Sequence, residues 1–175
     1  MQAARGTALT RPRVLLVLVA LFTVALDATT KALVVAKLEG QRDIDLFAGI
    51  KLTVTRNPGA AFSFATGMTY LFTAVAVGVA VYIVRTMPRL RSMGWALTLG
   101  LLLGGAIGNL VDRLVRSQGL HGAYAFGKGH VVDFISVPHF ASFNVADSGI
   151  TVGAILAVLL SFRGIEVDGT RKQAE

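Results

Sequence analysis

The stretch of residues 144–162, NVADSGITVGAILAVLLSF, decides the fold. It contains one charged residue, Asp147, and is otherwise dominated by small and aliphatic side chains. A helix of this length is about 28 Å long, close to the ~30 Å thickness of the hydrocarbon core of a bilayer. The stretch therefore predicts a transmembrane helix with a carboxylate near one end.

Three earlier stretches have the same character and predict further spans at about residues 14–35, 68–84 and 93–110. The chain has 175 residues, of which 54% are apolar and 15% charged, and this composition is typical of membrane proteins. We expect one membrane-embedded domain over residues 1–175, of the α-helical class. A cleaved signal peptide would also start with basic residues and an apolar run, but the polar set Asp27–Lys31 makes a poor cleavage site.

Basic residues cluster on one side of the predicted membrane. They precede the first span, separate the second from the third, and follow the fourth: Arg5, Arg11 and Arg13; Arg85, Arg89 and Arg91; Arg163, Arg171 and Lys172. Such clusters are typical of cytoplasmic loops, so we expect both termini in the cytoplasm and two outer loops, residues 37–66 and 113–142. The formal net charge of +7 alone could indicate a nucleic-acid partner, but its distribution favours membrane topology instead.

The two outer loops differ in composition. The first contains Ile44–Phe47 and Ile50–Thr55, whose β-branched and partly alternating pattern predicts short strands. The second is rich in glycine over residues 119–129 and is expected to be mobile. The terminal segments, residues 1–12 and 164–175, are expected to be solvated tails.

Polar side chains on three predicted helices lie at a similar depth. Counted at 1.5 Å per residue from the nearest basic cluster, Asp27 lies about 20 Å, Asn109 about 27 Å and Asp147 about 24 Å above the cytoplasmic boundary. Asp133, in the loop just before the fourth span, can reach the same level. A single polar residue at such a depth more often bonds helices together, but several at one depth indicate a site near the outer face.

Asp133 and Asp147 are the strongest candidates for catalysis. If their carboxyl groups lie within a few ångströms, both cannot ionise easily, and the pair shares one proton. The ionised member can then take a proton from water while the protonated member polarises a scissile carbonyl. This is the chemistry of aspartic proteases, which needs neither a metal nor a cofactor.

Other catalytic arrangements lack their parts in this sequence. The chain has no cysteine and therefore no thiolate nucleophile. The serines near the predicted site have no base at a motif spacing, and the three histidines are nine residues apart, which matches no helical metal site. These residues are Ser63, Ser142 and Ser148, and His121, His130 and His139. We therefore expect no metal site.

Two short motifs in the first half of the chain each have a structural and a functional interpretation. Asp27 and Lys31 are four residues apart on one helix face, where they either form a plain ion pair or hold a ligand head group. Asn57-Pro58-Gly59 forms either a membrane-entry turn or a turn whose amide binds substrate.

The motif at the end of the third span combines glycines with an amide and an arginine. Gly104 and Gly108 allow another helix to approach closely, so helix packing explains the glycines. It explains Asn109 and Arg113 less well, and these two remain candidates for the site.

Taken together, these motifs resemble those of the bacterial lipoprotein signal peptidases, also called signal peptidase II. The resemblance covers about residues 27–150, in order. It rests on Asp27…Lys31, Asn57-Pro58-Gly59-Ala60-Ala61-Phe62, Gly104-Gly105…Gly108-Asn109…Asp112-Arg113, Val131-Val132-Asp133-Phe134 and Phe143-Asn144-Val145-Ala146-Asp147-Ser148. One departure is visible, since about ten residues more than in shorter family members separate Arg113 from Asp133.

The resemblance implies an aspartic endopeptidase of the bacterial cytoplasmic (inner) membrane, with four transmembrane helices and a small extracytoplasmic β-rich cradle. Its substrates would be lipid-modified prolipoproteins held in membrane lipid, cut just before the diacylglyceryl-modified cysteine, and globomycin-type inhibitors would bind the same site. Asp133 and Asp147 would be the catalytic dyad. The residues that would shape the site or bind substrate are Asp27, Lys31, Asn57, Gly59, Gly105, Asn109, Arg113 and Asn144.

The main alternative is a small ion or solute transporter with a polar site at the outer leaflet. Intramembrane Asp, Lys and Asn also mark ion paths, but a transporter predicts ionisable groups spread through the membrane or discontinuous helices near the midplane. A purely structural membrane subunit would explain the glycines and leave Asp133 and Asp147 without a role.

Overall fold

The computed structural model describes residues 10–58, 68–116, 126–127 and 129–172. Within these ranges, four helices are long and apolar enough to cross a membrane, and a small antiparallel sheet lies at one end of them. The helices are α1 (Arg11–Leu38), α2 (Met68–Thr86), α3 (Met93–Val115) and α4 (Val145–Phe162), and the strands are β1 (Ile44–Asp45), β2 (Lys51–Asn57) and β3 (Val131–Ser136). The predicted class, an α-helical membrane protein with four spans and a small β-rich part, is confirmed.

Helix α3 lies at the centre of the bundle, in contact with α1, α2 and α4. Two adjacent glycines on α3 allow α1 and α4 to come close to it. A Cβ atom at Gly104 would lie 2.6 Å from the Cβ of Thr23 on α1, and one at Gly105 would overlap the carbonyl oxygen of Ala146 on α4. Because neither glycine carries a side chain, both neighbouring helices approach α3 closely.

The outer faces of the helices are apolar. Leu21 and Phe22 on α1 are 62% and 67% exposed, and similar side chains line the outer faces of α2 and α4. Exposed aliphatic and aromatic side chains on this scale are unfavourable in water and suit contact with lipid.

The sheet has the order β1-β2-β3, and both pairs are antiparallel. Ile44 pairs with Leu52, and Thr55 pairs with Asp133. The two strands predicted in the first loop are thereby confirmed, with shorter bounds for β1. Strand β3 was not predicted, although Val131-Val132 and Phe134-Ile135 on either side of Asp133 have strand composition.

The sheet is attached to the bundle by a salt bridge. Arg56 on β2 donates from Nε and Nη2 to the two carboxylate oxygens of Glu39, at 2.8 and 2.9 Å. Glu39 directly follows the last turn of α1. Such a bidentate contact fixes the orientation of β2 relative to α1. It thereby also fixes the position of Asn57, the residue after Arg56. We call this end of the bundle the sheet end.

The structure corrects two predicted helix boundaries, the end of α3 and the start of α1. Helix α3 continues to Val115, so Asp112 and Arg113 lie on its last turn instead of opening a loop at residue 113. Similarly, α1 already begins at Arg11, within the segment predicted to be a tail. In the extension of α3, the Asp112 side chain is buried and paired with Lys31 and Arg116, whereas Arg11 at the start of α1 is exposed and can reach the interface.

The segment 164–172 is also not a solvated tail. Trp95 donates from its indole nitrogen to the carbonyl oxygen of Ile165 at 2.7 Å, and the backbone amides of Arg91 and Ser92 donate to Val167. The side chain of Val167 packs against the apolar core at this end of the bundle. Backbone amides near a helix start have no partner within the helix, and the carbonyl oxygen of Val167 accepts from two of them.

Candidate active site

Asp133 lies in the middle of β3 and is almost completely buried, with 2% of its surface exposed. Its Oδ2 accepts a hydrogen bond from the side-chain amide of Asn57 on β2 at 2.9 Å. Its Oδ1 accepts one from the side-chain amide of Asn144 at 2.7 Å. Both carboxylate oxygens are therefore held by amide groups from two different elements.

Asp147 lies in the first turn of α4 and is half-buried. Asn144 is the residue before this helix, and the two form a reciprocal cap. The backbone amide of Asp147 donates to Asn144 Oδ1 at 2.9 Å, while Asp147 Oδ2 accepts from the Asn144 backbone amide at 3.1 Å. The remaining oxygen, Oδ1, accepts from the side-chain amide of Asn109 on α3 at 2.7 Å.

Asn144 joins the two aspartates. Its side-chain oxygen caps the helix that carries Asp147, and its side-chain nitrogen donates to Asp133. A single, fully buried amide thus bridges strand β3 and helix α4. An asparagine before a helix is a common cap, but a cap whose other end holds a second carboxylate brings both acids into one site.

The environment changes the acidity of Asp133. Burial is the largest cause and, opposed by the hydrogen bond from Asn57, raises the pKa of Asp133 to about 6. The negative charge of Asp147 raises it further, whereas the Asn144 hydrogen bond and the charge of Lys31 lower it. A carboxyl group with such a pKa exchanges its proton near neutral pH, which is what a general acid requires.

A buried charged group lies behind the two aspartates. Lys31 has no exposed surface, and its ammonium group contacts Asp27 at 2.7 Å and Asp112 at 2.9 Å. It also donates to the side-chain oxygen of Asn109 at 3.1 Å. The ion pair expected from the spacing of Asp27 and Lys31 therefore exists, with Asp112 as a second acid.

Arg113 lies beside the site. It donates from Nη1 to the backbone oxygen of Asn109 at 3.2 Å, and its guanidinium lies 5.7 Å from the ring centre of Phe72 on α2. Among the described residues, its buried Nε has no hydrogen-bond partner. The guanidinium is thus held in place at the wall of a cavity.

Two cavities flank the aspartates. One, of about 340 Å³, lies between α2, α3 and α4 and is lined by Arg113 and by apolar side chains that include Phe72 and Ile150. The other, of about 500 Å³, lies beside the start of α4 and is lined by Phe140, Phe143 and Val152 among others. Asn57 and Asp147 line both cavities, and Asp133 lines the second. Asp147 therefore lies where two largely apolar spaces meet, and Asp133 lies on the wall of the second.

The structure brings most of the predicted residues to one place. Asp27, Lys31, Asn57, Asn109, Asn144 and the two aspartates form one connected hydrogen-bond network. Gly105 does not reach this network and serves the contact between α3 and α4. Gly59 lies outside the described residues. Asp112 had no predicted role, although its position three residues after Asn109 puts both on one face of α3 and could have signalled one.

Comparison with known proteins identifies the family. The sequence model of a family described as signal peptidase (SPase) II matches residues 19–163, which include every residue of the network. The chain belongs to the signal peptidase II family. The resemblance drawn from the motifs is confirmed.

Individual members of the signal peptidase II family match over most of the chain. The lipoprotein signal peptidase of Rhodococcus jostii (strain RHA1) is 54% identical over 164 residues, which cover 93% of this chain and 80% of that protein. The lipoprotein signal peptidase of Streptomyces coelicolor is 50% identical over 153 residues, which cover 87% of this chain and 72% of that protein. A bacterial membrane enzyme solved at 1.9 Å resolution by the in meso method is similar in fold, with a TM-score of 0.70, 26% identity and coverage of 85% of this chain and 92% of that chain.

Proposed function

We propose that this signal peptidase II family member is an aspartic endopeptidase that removes signal peptides from bacterial prolipoproteins. The cut would fall just before the cysteine that carries a diacylglyceryl group. The observation that carries the proposal is the pair Asp133 and Asp147: the Asn144 side chain binds the carboxylate of the first and the backbone amide of the second, and both aspartates line an apolar cavity.

The chemistry follows from a shared proton. We assign this proton to Asp133, whose pKa is raised to about 6 chiefly by burial, and the base to Asp147. Asp147 takes a proton from water as the water oxygen attacks the scissile carbonyl carbon, and Asp133 protonates the carbonyl oxygen. The resulting diol then collapses: it returns one proton to Asp133, Asp147 delivers its proton to the leaving nitrogen, and the C–N bond breaks.

The surroundings suit an apolar substrate. The linings of the two cavities can receive the two apolar parts of a prolipoprotein, its signal segment and its acyl chains. Asn57 and Arg113 line the first cavity, and their amide and guanidinium groups would bind substrate carbonyl oxygens. The lipid would then position the scissile peptide bond, because anchoring the prolipoprotein on both sides of that bond reduces its freedom to move relative to Asp133 and Asp147.

The proposed orientation has both termini in the cytoplasm and the sheet end at the outer face of the bacterial inner membrane. Its support is the distribution of charge. The basic clusters begin α1, separate α2 from α3 and follow α4, all at the end opposite the sheet. A lipid-anchored substrate in the outer leaflet would then lie level with Asp133 and Asp147.

A transporter is less well supported. It would use ionisable groups near the midplane or broken helices, whereas the buried Asp27, Lys31 and Asp112 gather at the sheet end and α1 to α4 run without a break.

The proposal is tested by incubating the purified full chain, in detergent, with a lipidated prolipoprotein. A mobility shift on a gel and the mass of the product should reveal cleavage just before the modified cysteine, and globomycin should block it. A product that begins at any other residue, or no cleavage under conditions where the chain remains folded, would refute the assigned reaction.

A further inference from the structure

We propose that Asp112 is a positioning residue for the reaction: with Asp27 and Lys31 it forms a buried triad that holds both catalytic aspartates through the backbone amides directly before them. This inference rests on the proposed function. It gives a role to a residue that touches neither cavity.

The centre of the triad is the ammonium group of Lys31, which has three protons. They point to Asp27 Oδ2 at 2.7 Å, Asp112 Oδ2 at 2.9 Å and Asn109 Oδ1 at 3.1 Å. No proton is left for a substrate group, and Lys31 has no exposed surface. Its role is therefore internal.

Asp27 and Asp112 each contact Lys31 and also accept a hydrogen bond from a backbone amide. The Oδ1 of Asp27 accepts a hydrogen bond from the backbone amide of Ala146 at 2.9 Å, and the next residue is Asp147. The Oδ2 of Asp112 accepts one from the backbone amide of Val132 at 3.2 Å, and the next residue is Asp133. Each acid thus fixes the main chain one residue before a catalytic aspartate.

Asn109 provides the third connection. Its side-chain oxygen accepts from Lys31, and also from the side-chain amide of Asn144 at 3.2 Å. With its oxygen engaged on that side, its NH₂ group must face Asp147, to which it donates at 2.7 Å. Lys31 therefore also determines which end of the Asn109 amide meets the dyad.

The energetics of burial favour a positioning role over a stabilising one. Three charged side chains with 2% exposed surface or less are costly to remove from water, and apolar replacements of similar size are often no less stable. What an apolar set cannot do is accept hydrogen bonds from two separate backbone amides. Asp112 is itself oriented by Arg116, whose Nε donates to its Oδ1 at 2.6 Å.

Two substitutions at Asp112 separate positioning from charge pairing. Asp112→Asn removes the charge but keeps an oxygen where the Val132 amide can reach it. Asp112→Glu keeps the charge for Lys31 and Arg116 but moves the carboxylate by the length of one CH₂ group, which displaces the Val132 amide. Since a misplacement of about 1 Å can cost about 100-fold in rate, we expect kcat to fall about 100-fold in Asp112→Glu and less than about fivefold in Asp112→Asn, with KM nearly unchanged in both.

The control for a general loss of stability is Ile83→Ala, a core substitution on α2 at the opposite end of the bundle. Thermal unfolding of each full-length variant in detergent fixes a temperature at which all are folded, and kcat is compared there. Ile83→Ala should lower the melting temperature and leave kcat unchanged.

The reverse order, in which Asp112→Glu is active and Asp112→Asn is not, would mean that the charge matters and would overturn the proposal. Equal, near-wild-type kcat in both variants would overturn it as well. If Asp112→Glu does not fold, a kcat for Asp112→Asn reduced more than about 30-fold at unchanged folded fraction counts against it. Failure of the wild-type chain to cleave prolipoprotein would instead refute the proposed function.

Discussion

The raised pKa of Asp133 predicts how cleavage depends on pH. A shift from the ordinary value of 3.8 to about 6 disfavours the ionised form by about 3 kcal/mol, at 1.36 kcal/mol per pKa unit. In the proposed mechanism the dyad shares one proton, so we expect kcat/KM to fall above about pH 6, approaching tenfold per pH unit, as that proton is lost from the free enzyme. Burial, which is the main cause of the shift, becomes more complete when substrate fills the cavities, so the corresponding limb of kcat should lie higher.

Substitution of Asn57 tests whether a higher pKa of Asp133 moves the alkaline limb of kcat/KM to higher pH. Its amide donates to Asp133 Oδ2 and so favours the ionised form, which lowers the pKa. A hydrogen bond to a charged group contributes about 1.5 kcal/mol or more, equivalent to about one pKa unit. Asn57→Ala should therefore lower the rate and move the alkaline limb of kcat/KM upward by about one pH unit.

The assay is the initial rate of prolipoprotein cleavage between pH 4.5 and 8.5, at constant ionic strength, for the wild type, Asn57→Ala and a control. The control is Asp45→Asn, an aspartate of the same sheet whose side chain is 77% exposed, and it should leave the limb in place. A wild-type kcat/KM that stays flat from pH 6 to 8.5, or a limb that moves downward in Asn57→Ala, would contradict the account of Asp133.

Two further predictions concern the bundle and the substrate. Gly105→Val places a side chain where the carbonyl oxygen of Ala146 lies, so it should destabilise the α3–α4 contact by about 3 kcal/mol or more. The control, Gly78→Ala on α2, meets no atom within 4 Å and should be neutral or slightly stabilising. Thermal unfolding in detergent compares the two variants, and similar melting temperatures would refute the tight contact. A prolipoprotein without its diacylglyceryl group should be cut at least about tenfold more slowly in kcat/KM, because in the proposed function the acyl chains position the bond, and equal rates for the two substrates would remove that role from the lipid.

Much of the fold could be predicted from the sequence because bilayer thickness limits the lengths of apolar runs. The run over residues 144–162 and its three counterparts predicted all four helices, and a rise of 1.5 Å per residue placed Asp27, Asn109 and Asp147 at similar depth. These three do join one network. Depth along a helix follows from sequence alone because helix geometry is regular.

Features that depend on contacts between distant segments could not be predicted in this way. The bond between Asp112 and the amide of Val132 requires strand β3 to lie across the end of α3, after a long connection. The attachment of residues 164–172 likewise depends on where Trp95 meets Ile165, and that short polar segment has no periodicity to indicate it. Strand β3 itself was hidden because Asp133, a residue rare in strands, interrupts its apolar run.

The central claim is that Asp133 and Asp147 together hydrolyse one peptide bond. The direct measurement is the rate of cleavage of lipidated prolipoprotein by Asp133→Asn and Asp147→Asn, with Asp45→Asn as the matched aspartate control. We expect both dyad variants to lose cleavage by at least about 10³-fold, since each removes a group that carries a proton in the proposed mechanism, while their melting temperatures remain near that of the wild type and the control retains full activity. Near-wild-type turnover by either dyad variant would contradict the claim.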